Sequence, residues 1–370
     1  MKKLEKQDLL DILYGCTILG TGGGGSLEEG INLIDKAIQA GKEFHLVTFD
    51  ELEENDLIAT PYSCGAISPE TEAERKKYEK LPVHTESPHV LALSEMEKHL
   101  GKEVKAVIST ELGGGNTAVA FYAAAMAGKM IVDGDPAGRS VPELQHSTYY
   151  LHNIPIHPMA VVNEFGEAAV ITHVVDDFRA EALVRALAIV SRNRIAVVDH
   201  VQPASVLKNA VIQGAISDAW RIGKAWRMAV EAGDDPVTAV TQTGDGAVLF
   251  QGVVSRNAWD TVEGFTVGEV ELEGVCENAG ETYRIWYKNE NIMTWKNGTP
   301  HASVPDLVCV INNSSGKPVI NPYFEEGMNV IVYVLPSPVE WTTQKGLDVF
   351  GPESFGFPHG WRPFREILGT

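Results

Sequence analysis

Three stretches carry residue types able to act on a small polar molecule: GTGGGG at 20–25, ELGGGN at 111–116 and DGDPAGRSVPE at 133–143. The third is the densest in functional groups. Asp133 and Asp135 are candidate general bases. Arg139 offers a planar fork that matches a carboxylate or the polarised oxygen of a cyclic amide, and Glu143 is a further acid about one helical turn on. The plainer reading is an Asx-turn in which Arg139 pairs with Asp135. In the second stretch Glu111 is a candidate base or metal ligand, and Asn116 either orients a carbonyl or caps a helix. Gly22, Gly23, Gly24 and Gly25, with Gly113, Gly114 and Gly115, leave backbone N–H groups uncovered by side chains. Such groups suit a cradle for an anion or carbonyl oxygen, and a flexible connector is the alternative. Cys64, beside Gly65 in PYSCGAIS, is a candidate exposed thiol, although free cysteine is more often a small buried hydrophobe.

The histidines form no metal-binding tract. His84 and His89 stand five apart around Pro88, which excludes two ligands on one helix face and reads as a loop feature. A divalent-metal site made of Asp133, Asp135 and one of His146, His152, His157 or His173 is a minor alternative; no other cofactor is called for. GTGGGG lacks the GK[ST] ending of a phosphate-binding P-loop and follows a helical pattern instead of a first strand, which disfavours a dinucleotide fold.

The elements that must position these groups alternate between α and β. Leucines and isoleucines at helical spacing predict a helix over 8–19, ended by the glycines, and another over 27–40 with Ser26 as N-cap. Strands are predicted at 44–49, 57–61, 104–109 and 130–132, with helices at 87–100 and 117–127 between them. ELGGGN and DGD then sit where strands of an open α/β sheet end, the usual place for a ligand. A hairpin over 159–174, a helix over 177–191, a strand at 195–200 and a mostly helical stretch over 202–232 follow. Beyond 241, short β-rich runs separated by Gly, Asn and Pro predict a sandwich or barrel-like β domain, and 352–364 reads as an irregular tail. The fold class expected is therefore an N-terminal α/β domain over 1–175, then 176–370 as a helical connection and a C-terminal β-rich domain.

At 370 residues the chain exceeds the roughly 250 to 300 at which single cores stop growing. Its net charge of −20 argues against nucleic acid and anionic lipid as partners. Four scattered cysteines without a CxxC pair fit neither a disulfide framework nor a zinc ribbon, and no apolar run is long enough to span a membrane. A soluble cytoplasmic protein with reduced thiols is expected, as a homo-oligomer.

Taken together, GCTILGTGGGG, ELGGGN and DGDPAGRSVPE, in that order, resemble the S-methyl thiohydantoin desulfurase family. The resemblance covers essentially the whole chain. It implies a hydrolase in which water adds to the ring carbon bearing the methylthio group and methanethiol leaves, giving a hydantoin. It also implies association with hydantoinase/oxoprolinase-type systems, where a non-catalytic ligand-binding or accessory subunit is the competing role. The resemblance carries no catalytic assignment. The residue reading puts Asp133 or Asp135 as base with Glu111 as the alternative, and Arg139 with the glycine N–H groups on the ring oxygens.

Overall fold

Short apolar strands that lie covered on both faces belong at the centre of a sheet flanked by helices, and this chain builds such a centre. The computed structural model describes residues 1–65 and 72–369. In chain order the first strands are β1 (Lys2–Leu4), β2 (Phe44–Val47), β3 (Leu57–Gly65), β4 (Ala106–Val107), β5 (Met130–Val132), β6 (Gly134–Asp135), β7 (Met159–Val162), β8 (Ala168–Ile171) and β9 (Arg194–Pro203). All but β6 form one sheet in the order β1-β2-β5-β4-β3-β9-β7-β8. β2, β5, β4 and β3 are parallel. β1 on one edge and β9, β7 and β8 on the other are each antiparallel to the strand beside them. Strand β9 carries this sheet past the 175/176 division into the second half of the sequence.

The parallel strands β4 and β5 end at Val107 and Val132, beside Ala59 of β3, while β3 runs on to Gly65 along β9, so the segments that follow β4 and β5 emerge beside the second half of β3. β4, the helix Asn116–Ala127 and β5 make a βαβ unit with ELGGGN at its turn. Beneath the first glycine loop, the helix Lys6–Leu19 lies against Ala215–Ala232. The backbones touch, with Gly15 on Ala219 and Gly223 on Asp11, where no larger residue fits. Arg227 Nε adds an ion pair to Asp11 Oδ1 at 2.6 Å. This close pairing fixes the direction in which residues 20–25 leave the first helix.

The second sheet is antiparallel throughout and curls into a half-barrel. Its order is Thr299–Ser303, Glu290–Lys296, Thr282–Lys288, Phe265–Gly274, Ala247–Val262, Asn329–Leu335, Leu307–Asn312. Alternating inward residues such as Val270, Leu272, Tyr283 and Ile285 form its core; each apolar side chain fully buried contributes about 1.5–3 kcal/mol.

Two elements are more definite than the sequence reading. Residues 202–232 are not one helix: after β9 come a turn of helix Ala204–Leu207, the strand Ile212–Gln213 paired with β6, and only then Ala215–Ala232. Gly214, at φ 78°, makes the bend that a continuous helix would forbid. The segment 352–364 is largely irregular but docked. Phe364 is buried against the second sheet, Phe357 packs on Trp286 and Trp295, and Asp306 Oδ2 accepts from Trp361 Nε1 and from the Phe364 amide, each at 3.0 Å. Among the described residues no helix is long and apolar enough to cross a membrane.

Candidate active site

Where the parallel strands end, the two glycine stretches meet. A Cβ on Gly24 would stand 2.5 Å from the Gly113 Cα, and one on Gly25 3.1 Å from the Gly115 Cα, so glycine is required at Gly24 and Gly25 by close approach as well as by φ of 76° and 79°. The amides of Gly115 and Asn116 both donate to the Gly24 carbonyl, at 2.9 and 3.0 Å, and that of Gly113 donates to Thr117 Oγ1. The Gly115 and Asn116 amides are thus spent between the two loops, where the glycines make a backbone-on-backbone seam. Gly114 packs on Leu27, and Gly22 faces Asn321.

The seam forms one wall of a cavity of about 460 Å³. Gly24, Gly25, Cys64, Gly65, Glu111, Gly115 and Asn116 line it from the motifs; Gly22, Gly23, Gly113 and Gly114 do not. The helix Asp177–Ile189 closes a second side with Glu181 and Arg185, and the second sheet contributes Asn289 and Glu290. The cavity lies at the junction of the two halves of the chain.

Glu111 adopts φ +60°, a left-handed conformation uncommon for a residue with a side chain. Its Oε2 accepts from Asn116 Nδ2 at 3.2 Å, while Asn116 Oδ1 accepts from the Ser63 amide at 3.1 Å. Asn116 therefore clamps Glu111 to β3; the helix N-cap is Gly115. Burial first, then the neighbouring carboxylates Glu290 and Glu181, push the Glu111 carboxyl well above the usual range, against the opposing pull of Arg185. Glu290, 2% exposed, accepts from Ser140 Oγ at 2.8 Å on Oε1, and Gly23 lies so close to that oxygen that a Cβ there would collide with it. Its buried Oε2 makes no hydrogen bond among the described residues. Burial raises this carboxyl to about 7, although Ser140 and Arg139 favour its ionised form. Two carboxyls in one cavity, one held protonated and one poised near neutrality, can divide the roles of acid and base.

Comparison with known proteins agrees with this architecture. The model for the S-Me-THD-like N-terminal domain matches residues 7–173, and that for the S-Me-THD-like C-terminal domain matches residues 175–364. The chain belongs to the S-Me-THD-like family. A crystal structure of a protein from Chromobacterium violaceum shares the fold of this S-Me-THD-like chain, with a TM-score of 0.77 and 19% identity over 98% of this chain and 100% of that one. No curated protein matches the sequence.

In this S-Me-THD-like protein the DGDPAGRSVPE segment is mainly a framework. Asp133 is not among the residues lining the cavity; it caps the helix Ala215–Ala232, accepting from Ser217 N at 3.0 Å and Ser217 Oγ at 2.5 Å. Asp135 is buried in an Asx-turn, with Oδ1 accepting from the amides of Ala137 and Gly138 at 2.7 and 2.8 Å. Burial raises its carboxyl to about 7 against those bonds. Arg139 pairs with neither acid. Fully buried, it donates to the carbonyls of Pro305 (2.8 Å) and Asp306 (3.1 Å) and to Thr21 Oγ1 (2.8 Å), and so ties the first glycine loop to the second domain. Glu143 pairs with Lys288 and takes a hydrogen bond from Gln145 Nε2 at 2.6 Å. Asp133 and Asp135 turn to separate partners, and among the described residues no group of three His, Cys, Asp or Glu side chains is arranged to hold a metal ion.

Cys64 lines the cavity but is 5% exposed, and burial pushes its thiol far up, which keeps it protonated. The thiol is thus a poor nucleophile as it stands. His89, by contrast, enters the site. From the first turn of the helix Pro88–Leu100 it reaches Ser63 Oγ at 2.8 Å, and both residues line the cavity. Burial holds its imidazole down to about 3.

Sequence reasoning missed Glu181, Arg185 and Glu290. The first two stand four apart on a helix read only as amphipathic; Arg185 Nε donates to Glu181 Oε1 at 2.8 Å, and its NH1 to the Gly264 carbonyl at 3.2 Å. Charges on a helix face that must be buried were the available signal. For Glu290 the signal was an acid between two asparagines at the start of an apolar strand, NENIM.

Proposed function

We propose that the protein is a hydrolase of a five-membered cyclic imide-like ring, converting an S-methyl thiohydantoin to the hydantoin with release of methanethiol. Family membership supports the substrate class. The observation that carries the chemistry is the pairing of Glu111 and Glu290 in one cavity with Arg185 beside them. The volume lies within the roughly 300–1,000 Å³ of small-molecule sites.

Ionised Glu290 takes a proton from water as the oxygen bonds to the ring carbon, and protonated Glu111 gives its proton to the adjacent ring nitrogen. When the tetrahedral carbon collapses to the carbonyl, the C–S bond breaks and Glu290 hands its proton to the departing methanethiolate. The hydroxyl proton is released and Glu111 is reprotonated, so the two protons of water end on nitrogen and sulfur. Arg185 and Asn116 supply donors for the ring oxygens.

The test is turnover of an S-methyl thiohydantoin by the purified protein, read as thiol released and hydantoin formed. Thiol release that is lost in both Glu111→Gln and Glu290→Gln supports the reading. Ring binding without turnover by the pure protein would instead make the chain a binding subunit of a hydantoinase/oxoprolinase-type system.

A further inference from the structure

Behind Glu111 lies a second, much smaller chamber of about 20 Å³, which shares Tyr62, Glu111, Val141 and Leu144 with the main cavity. Its volume exceeds the roughly 10–15 Å³ that one water requires. It is also lined by His200, 4% exposed, whose backbone, like that of Glu111, is left-handed (φ +44°). His200 Nδ1 bonds Asp199 Oδ1 at 2.8 Å, and Asp199 Oδ2 accepts from Tyr62 Oη at 2.7 Å, which leaves Asp199 firmly placed. Tyr149 stacks on the imidazole at 4.3 Å. The other ring nitrogen, Nε2, is buried without a hydrogen bond among the described residues, as is Nδ1 of His146, which also lines the chamber. A carboxylate that fixes one imidazole nitrogen leaves the other free to exchange protons.

We propose that a single water in this chamber bridges Glu111 to His200 Nε2, giving Glu111 a route for proton exchange through the rear wall while substrate fills the main cavity. This rests on the acid role assigned to Glu111 above. His200 acts through Glu111 and is a positioning and relay residue. The other ionisable groups around it are Asp199, Asp177 and Tyr149 and, lining the same chamber, Tyr62, His146 and Glu143. One proton enters as one leaves, so the relay consumes nothing.

The experiment pairs kinetics with infrared spectroscopy of the full-length protein, using the carboxylic C=O band that Glu111→Gln abolishes. In His200→Gln, kcat should fall by about tenfold or more with KM within about twofold, the pH profile should shift, and exchange of the Glu111 band in D₂O should slow. A variant with wild-type kcat and unchanged band exchange overturns the relay. If His200→Gln does not fold, an experimentally determined wild-type structure decides: a water within hydrogen-bond reach of both Glu111 and His200 Nε2 supports the proposal, and its lack overturns it. Slowed exchange in the variant of a protein that turns over no thiohydantoin would sustain the relay while refuting the reaction.

Discussion

Ser140 Oγ donates to Glu290 Oε1 at 2.8 Å across the junction of the two domains. The bond joins the turn after β6 to the first residue of the strand Glu290–Lys296, and it leaves Oε2 as the buried oxygen without a hydrogen bond among the described residues. Gly23 backs the same carboxylate. Three elements far apart in sequence thus fix the aim of one side chain.

Gly23→Ala should therefore displace Glu290. Gly23 is the residue of its run without a positive φ, so an alanine meets the carboxylate instead of backbone strain. A loss of about 1–3 kcal/mol in chemical denaturation is expected, typical of overpacking. Adding Glu290→Ala should restore most of the stability and none of the turnover. Additive losses in the double-mutant cycle would refute the contact.

Glu111→Gln should lower kcat by roughly 10²–10⁴, the usual share of a general acid. The same change removes a buried carboxyl from beside Glu181 and Glu290, so the melting temperature should stay level or rise. A large drop in melting temperature with modest kinetic loss would make Glu111 a structural residue.

The pH dependence of stability carries a sign that Glu290 shares with the raised carboxyls of Glu111 and Asp135. The folded-state value of Glu290, about 7, lies above the ordinary 4.5. The native state therefore holds the extra proton between these values, and stability falls as pH rises through that window. His89 and His146, both held down to about 3, act oppositely below their ordinary 6.5 and blur the total. The difference between Glu290→Gln and wild type isolates the group. The variant should gain relative stability from about pH 4.5 to about pH 7 and then level off, by up to roughly 3 kcal/mol at 1.36 kcal/mol per pKa unit. A pH-independent difference would contradict the raised value.

Ser63 and His89 form a hydrogen-bonded pair in the cavity, yet an imidazole held down to about 3 is a weak base near neutrality. Ser63→Ala should therefore retain turnover within about tenfold, with the change mainly in KM, and rapid-mixing experiments should show no stoichiometric burst of methanethiol. A burst that Ser63→Ala removes would assign Ser63 as nucleophile and displace direct water attack.

The α/β half was readable because its signals are local: apolar runs ended by glycine at β4 and β5, and Ser26, which accepts from the Glu29 amide as an N-cap should. Residues 202–232 are mostly helical as read, but the strand Ile212–Gln213 that splits them was not visible, because its pairing with β6 overrides helical composition. Within the site, Glu111, Asn116 and Cys64 were visible as residues at strand ends. Local spacing could not separate the capping task of Asp133 from a catalytic one, since both favour an acid at a turn. Glu290 lies 150 positions from Ser140, and only the folded chain brings the two together.

Arg139 has a consequence for how such proteins can change. Because its guanidinium is held by Thr21 from one half and by the carbonyls of Pro305 and Asp306 from the other, the halves are matched parts. A chimera that joins this N-terminal half to a distant relative's C-terminal half would inherit a mismatched latch, and separate expression of either half would strand a buried cation or an open flank. Descent should therefore keep the two together as one heritable unit, varied residue by residue and not by exchange of modules.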